Sequence, residues 1–174
     1  MTELSADHQR ANRLHLTMLD MQDARRYLDA YTNLEALEKE VIADISSTVR
    51  EALIVAAIVA YCRPFKYNTS PGQADAKLWI DGFWDVTAEQ RALHHLITTK
   101  RDKFVAHADW EARSTKIVDL TETGVERTFS VPDLMEGLEP EKFQALALAV
   151  ERDSYYQAIS LQYRIYRERR QEGT

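Results

Sequence analysis

Apolar residues recur at three- and four-residue intervals along most of this chain, the spacing of helices with one buried face. Over 4–30, Ala11, Leu14, Met18, Met21 and Leu28 mark one side of an amphipathic helix. A second helix is expected over 33–62, with Asn33 as its N-cap. Leu34, Leu37, Val41, Ile45 and Val49 give its first half a single apolar face, whereas 52–60 is apolar nearly all round and belongs at the centre of a bundle. Arg63-Pro64 ends it, because proline disfavours helical geometry in the residue before it. The stretch 63–77, with Pro64, Asn68, Pro71 and Gly72, reads as an ordered loop. The aromatic run Leu78-Trp79-Ile80-Asp81-Gly82-Phe83-Trp84 then docks that loop on the core or lines a dimer contact.

A third helix opens at Thr87, where Thr87 and Gln90 have capping-box spacing, and runs to about residue 109. At about 100° per residue, Leu93, Ile97, Phe104 and Ala108 share a narrow buried stripe. Arg101 and His107 flank it at roughly 60° to either side, about 9 Å apart along the axis. Asp102 falls on the opposite face with His95, and His94 lies on the Arg101 side. From Thr115 the pattern changes to strand-forming residues around Gly124, which predicts a β-hairpin near 115–131 that must lean on the bundle or on a partner. Pro132 opens a short turn, and Pro140 stands as the first residue of the last helix. In that helix Phe143, Ala147, Val150, Ser154, Ala158, Leu161 and Ile165 form a long apolar stripe, with Tyr155, Tyr156, Tyr163 and Tyr166 adding amphipathic surface. The charged tail 167–174 is expected to fray. The fold class is therefore all-α: one domain over 1–174, four to five main helices, and a small β-hairpin insertion.

Composition narrows the picture. The 174 residues include only 5 Gly and 4 Pro, and a chain this long buries about 70% of its unfolded surface without help from disulfide or metal. Cys62 is the only cysteine, so no intrachain disulfide forms, which fits a reducing cytoplasm. At the end of an apolar helix it reads as a small hydrophobe. The polar, acidic N-terminus has no signal-peptide character, and the apolar run 52–61 is too short to span a bilayer. A cytoplasmic location without a membrane partner is the expectation. The net charge of −6 counts against broad nucleic-acid affinity. Positive charge is local, at Lys100, Arg101 and Lys103 and again at Arg164, Arg167, Arg169 and Arg170.

Several chemistries are unsupported. The sequence has no Gly-rich phosphate loop, no Cys–Cys or His-Glu-x-x-His metal pattern and no Gly-x-Ser-x-Gly elbow. His8 and His15 share a side of the first helix but have no third ligand, so no metal and no cofactor are expected.

The densest chemistry lies in Lys100-Arg101-Asp102-Lys103-Phe104-Val105-Ala106-His107-Ala108-Asp109-Trp110. The plainer reading has Arg101 snorkelling beside the core and His107 as a hydrogen-bonded boundary residue. Yet Arg101-Asp102 followed by His107 resembles the signature of the HEPN superfamily (higher eukaryote and prokaryote nucleotide-binding domains), and Ala108-Asp109 resembles the motif's ending in bacterial members. Tyr61-Cys62-Arg63-Pro64-Phe65 is likewise similar to stretches that precede the motif in bacterial HEPN-like proteins; its plainer reading is that Phe65 plugs the core and Arg63 covers a helix end. The resemblance implies a HEPN-like bundle acting as a metal-independent endoribonuclease of toxin or phage-defence type. Two antiparallel motif helices of a homodimer would form one composite site. Arg101, Asp102 and His107 would be catalytic, Arg101 holding phosphate and His107 moving protons. Lys103, His94, Arg63 and Tyr61 would contact substrate. RNA or nucleotide, a second copy and a neutralising antitoxin are the implied partners. The alternative is a non-catalytic module that binds nucleotide, RNA or a protein partner. Where some toxin members carry a modifiable Tyr two positions after the His, this chain has Asp109, so control through that Tyr is not expected.

Overall fold

The first seam of the structure is a heptad. In helix α1 (Ala6–Leu37) the buried residues are Ala11, Leu14, Thr17, Met21, Ala24, Leu28 and Tyr31, steps of three and four that keep one face against a partner helix. The computed structural model describes residues 5–37, 43–66, 77–106, 115–121, 124–129 and 134–172, with side chains at 5–34, 47–66, 77–103 and 134–171. Helix α2 (Ala43–Cys62) leads into a 3-10 turn, Arg63–Phe65. After a second 3-10 turn at Ile80–Gly82 comes α3 (Ala88–Lys100), which continues as a wider π-helical turn, Arg101–Ala106. The last helix is α4 (Pro140–Glu172). Strands β1 (Thr115–Thr121) and β2 (Gly124–Phe129) pair antiparallel, Thr115 opposite Phe129, with an irregularity between Ile117 and Asp119.

Helices α1 and α4, each about 48 Å long at 1.5 Å per residue, run antiparallel in fixed register. Asp7 meets Arg164 at 2.6 Å, Arg25 meets Glu151 at 2.6 Å, Gln22 donates to Glu151 at 3.0 Å, and Gln144 donates to Asp29. As α1 numbers rise, α4 numbers fall in step. On the seam between them, Phe143, Leu146, Ala147 and Val150 of α4 are wholly buried and share one core with Ile54, Ala57, Ile58 and Tyr61 of α2 and Ile97 of α3.

Two expected boundaries move. Asn33 does not cap a second helix but lies inside α1. Two residues before it, buried Tyr31 accepts a hydrogen bond from Arg50 of α2 at 3.1 Å, with the guanidinium 5.0 Å from its ring centroid. This contact carries α1 past the local capping signal, as tertiary packing commonly overrides propensity. The third helix does not stay α-helical through the motif either. Its start is as expected, Thr87 and Gln90 making both halves of the capping box, but from Arg101 the turn widens.

The aromatic run splits by burial. Ile80 and Phe83 are in the core, whereas Trp79 and Trp84 are exposed. Asp153 accepts from the Trp84 backbone N–H and Gln157 donates to the Gly82 carbonyl at 2.8 Å, which fastens this segment to α4. Leu138 closes a turn onto the Met135 carbonyl at 2.8 Å, and Gly137 takes the φ of +72° there that only glycine adopts without strain. Loop residues 67–76 and Pro132 lie outside the described residues. No helix among the described residues is long and apolar enough to cross a membrane.

Candidate functional site: a cationic cleft beside the π turn

Four cations from three separate segments meet where α1, the end of α2 and the π turn converge. Arg13 comes from α1, Arg63 from the 3-10 turn, Lys66 from just beyond it and Arg101 from the first residue of the π turn; together they line a cleft of about 460 Å³. Its apolar wall is Leu16, Leu19, Val59 and Cys62. The 3-10 turn is what brings Arg63 and Lys66 here. Pro64 is its second residue, and buried Pro64 and Phe65 pin it to the core, so the flanking cations point away from the core.

Among the described residues two carboxylates answer the four cations. Asp20 accepts from Arg63 at 3.1 Å. Burial raises its pKa, only partly offset by the hydrogen bond and charge of Arg63 and the charge of Arg13. Asp102 bridges two cations, accepting from Lys66 Nζ at 2.6 Å and from Arg101 Nη1 at 2.9 Å. Burial pushes its carboxyl up, but the two hydrogen bonds outweigh that and hold its pKa below the usual carboxylate value. Asp102 thus stands at the exposed rim, opposite the buried stripe, with its side chain 43% exposed. The wider turn sets successive residues at smaller angles than an α-helix does, and Lys66 reaches over from the neighbouring segment to close the triad.

The remaining expected site residues scatter. Tyr61 and His94 are core residues, 0% and 7% exposed, joined by a 2.9 Å hydrogen bond between the Tyr61 hydroxyl and His94 Nδ1. The His94 ring also packs edge-on against Phe65, centroids 4.6 Å apart. Neither side chain reaches the cleft, so their assignment to substrate contact is corrected: the aromatic core draws both inward. Burial above all, then the charges of His95 and Lys66, lower the His94 pKa to about 4, so the ring is neutral and can accept from the Tyr61 hydroxyl, whose own pKa burial raises. Lys103 is exposed on the π turn. His107, with the Phe104 side chain, Ala108 and Asp109, lies outside the described residues. Cys62 forms part of the cleft wall, but burial lifts its thiol to about 12 against the pull of Lys66 and Arg101, which makes it a neutral apolar surface and no nucleophile.

Sequence reasoning passed over Arg13, Asp20 and Lys66. Arg13 and Asp20 are seven residues apart on the polar border of the α1 stripe, a spacing that puts two helix residues on one side, but nothing local marks which border faces a second element. Among the described residues no group of three or more His, Cys, Asp or Glu is placed to hold a metal ion. No protein-family model, curated protein or solved structure matches the chain.

Proposed function

We propose that this chain is a HEPN-like helical domain that cuts RNA without a metal ion, working as a homodimer whose composite site pairs Arg101 and His107 with their symmetry mates. One observation carries the reading: Arg101 opens the π turn that leads to His107, and it lines a cleft that three further cations share. On an acidic chain of net charge −6, such a convergence suits a ligand with concentrated negative charge. π turns are rare and are often found at functional sites.

The chemistry needs a base, an acid and charge stabilisation. A neutral imidazole removes the 2′-OH proton, and the freed oxygen attacks phosphorus. A second imidazole, protonated, gives its proton to the departing 5′-oxygen, leaving a 2′,3′-cyclic phosphate. Guanidinium N–H groups hold the non-bridging oxygens, where charge accumulates. One motif supplies one His, and a two-fold axis supplies the second. A second reading, a non-catalytic module that binds nucleotide or RNA, is favoured by the Lys66–Asp102–Arg101 triad, which already occupies Arg101.

Incubating the purified protein with a mixed RNA pool in excess EDTA separates the two. Cleavage that persists, leaves cyclic phosphate ends and falls about 100-fold or more in both Arg101→Ala and His107→Ala, with unchanged circular dichroism, supports the nuclease. The rate should also drop at acid pH as the basic imidazole becomes protonated. No cleavage, or equal cleavage by wild type and both variants, removes it.

A further inference from the structure

We infer that the cleft between α1 and the 3-10 turn is a binding site for a phosphate group, with Arg13 as the residue that grips it and Arg63, Lys66 and Arg101 as supporting charges. The site lies within one subunit and is built mainly from elements other than the motif helix. It deepens the proposed function by naming a phosphate-gripping residue, Arg13, outside the Arg101–His107 motif, and it rests on that reading only for the source of the phosphate.

The Arg13 guanidinium is half-anchored. Its Nη2 donates to the backbone carbonyl of Arg63 at 2.9 Å, which fixes the plane of the fork. Its Nε–H is buried and has no acceptor among the described residues. Asp20, which feels the Arg13 charge, accepts from Arg63 and not from the Arg13 Nε–H. Buried N–H groups are nearly always paired, so this one is left for an oxygen that the described residues do not supply. The anchoring also removes most of the rotamer freedom that an arginine otherwise loses on binding.

The surroundings decide what kind of oxygen fits. Arg63, Lys66 and Arg101 stand around the same cleft, and among the described residues two carboxylates answer four cations. A neutral carbonyl ligand would leave that excess unused. A carboxylate would bring one charge, whereas phosphate offers three or four oxygens around one centre and suits the planar fork of arginine. The apolar wall of Leu16, Leu19 and Val59, with Leu16 53% and Leu19 44% exposed, provides a surface for the sugar or base attached to it.

The test uses the 174-residue His107→Ala chain, so that no cleavage intervenes. Arginine Nε–H resonances are followed by NMR during titration with inorganic phosphate, a nucleoside monophosphate and a four-nucleotide RNA. The expected result is a saturable shift of the Arg13 Nε–H signal. Arg13→Gln should weaken ligand binding about tenfold and lower the slope of log affinity against log salt by about one. Arg13→Lys, which keeps the charge but loses the Nε–H, should recover only part of the affinity. Shifts with all three probes identify the phosphate itself as the determinant; shifts with RNA alone identify a phosphodiester in a chain. If RNA binds and the Arg13 signal moves, yet wild type never cuts, this site stands and the nuclease reading fails. If wild type cuts RNA but the Arg13 signal stays fixed and Arg13→Gln binds as tightly as its parent, the site is overturned and the nuclease reading survives. Should the Arg13→Gln chain fail to fold, the Arg13 signal of the unsubstituted position decides alone: a saturable shift upholds the site and a fixed signal overturns it.

Discussion

His94 shows how far burial changes a side chain whose unperturbed pKa is near 6.5. Enclosed by Tyr61, Phe65 and the outer ring of His95, it is held neutral with a pKa of about 4, by burial first and then by the charges of His95, Lys66 and Lys77, with Asp81 opposing. An unfolded chain would bind the proton near pH 6.5, so between about 6.5 and 4 the unfolded state carries more protons. Stability is therefore full above that window and is lost as pH falls through it, by at most on the order of 3 kcal/mol from this residue. Urea unfolding at pH 7.5 and 4.5 should show that loss, and His94→Phe should shrink it. An equal loss in the variant would assign the acid sensitivity to other groups. The Tyr61 hydroxyl would lose its partner in that variant, so the comparison is between pH slopes and not between absolute stabilities.

At the scale of the element, each helix end has its own physical cause. Thr87 and Gln90 satisfy each other's backbone N–H groups at 3.2 and 2.9 Å, and Thr87→Ala should lower stability by about 1 kcal/mol. A urea midpoint that falls with the slope unchanged would confirm a loss confined to the folded state; an unmoved midpoint would mean that the tertiary contacts of α3 hold its first turn without the cap. The other end of α3 is less local. The Arg101 N–H is shared between the Ile97 and Thr98 carbonyls, and beyond it the turn widens. The paired cations on Asp102 sit at this transition. Regular 3.6-residue spacing puts Asp102 on the face opposite the buried stripe, but that Lys66 meets it there depends on the neighbouring segment.

The whole molecule sets the remaining expectation. Two antiparallel helices of more than thirty residues hold one layer of the bundle, and α2 and α3 complete the core against them. Each subunit brings a single Arg101 and a single His107 to the proposed chemistry, so the active species should be a two-fold dimer. Light scattering at micromolar concentration should give about twice the 20.1 kDa chain mass. A monomer that still cleaves RNA would sink the shared-site mechanism, and the exposed Trp79, Trp84, Tyr163 and Tyr166 would then need no partner of the same kind. RNA affinity should fall steeply with added salt, as contacts to phosphate release counterions, even though the chain as a whole is acidic.

The helical class, the stripe of α4 and the start of α3 were legible because they rest on short-range rules. Phe143, Ala147, Val150 and Ser154 repeat every three or four residues and are all buried; Thr87 and Gln90 need only each other. Arg101 stood out through its spacing to His107, a pattern within one segment. The cleft was not legible, because Arg13, Arg63, Lys66 and Arg101 span nearly ninety positions and become neighbours only when α1 crosses the end of α2 beside the π turn. Asn33 carried a proper capping signal, and the contact of Tyr31 with Arg50 overrode it. Periodicity along one chain specifies which face of a helix is buried. Which polar border of that face meets another helix, and so which charges share a site, depends on packing angles and registers that only the assembled core determines.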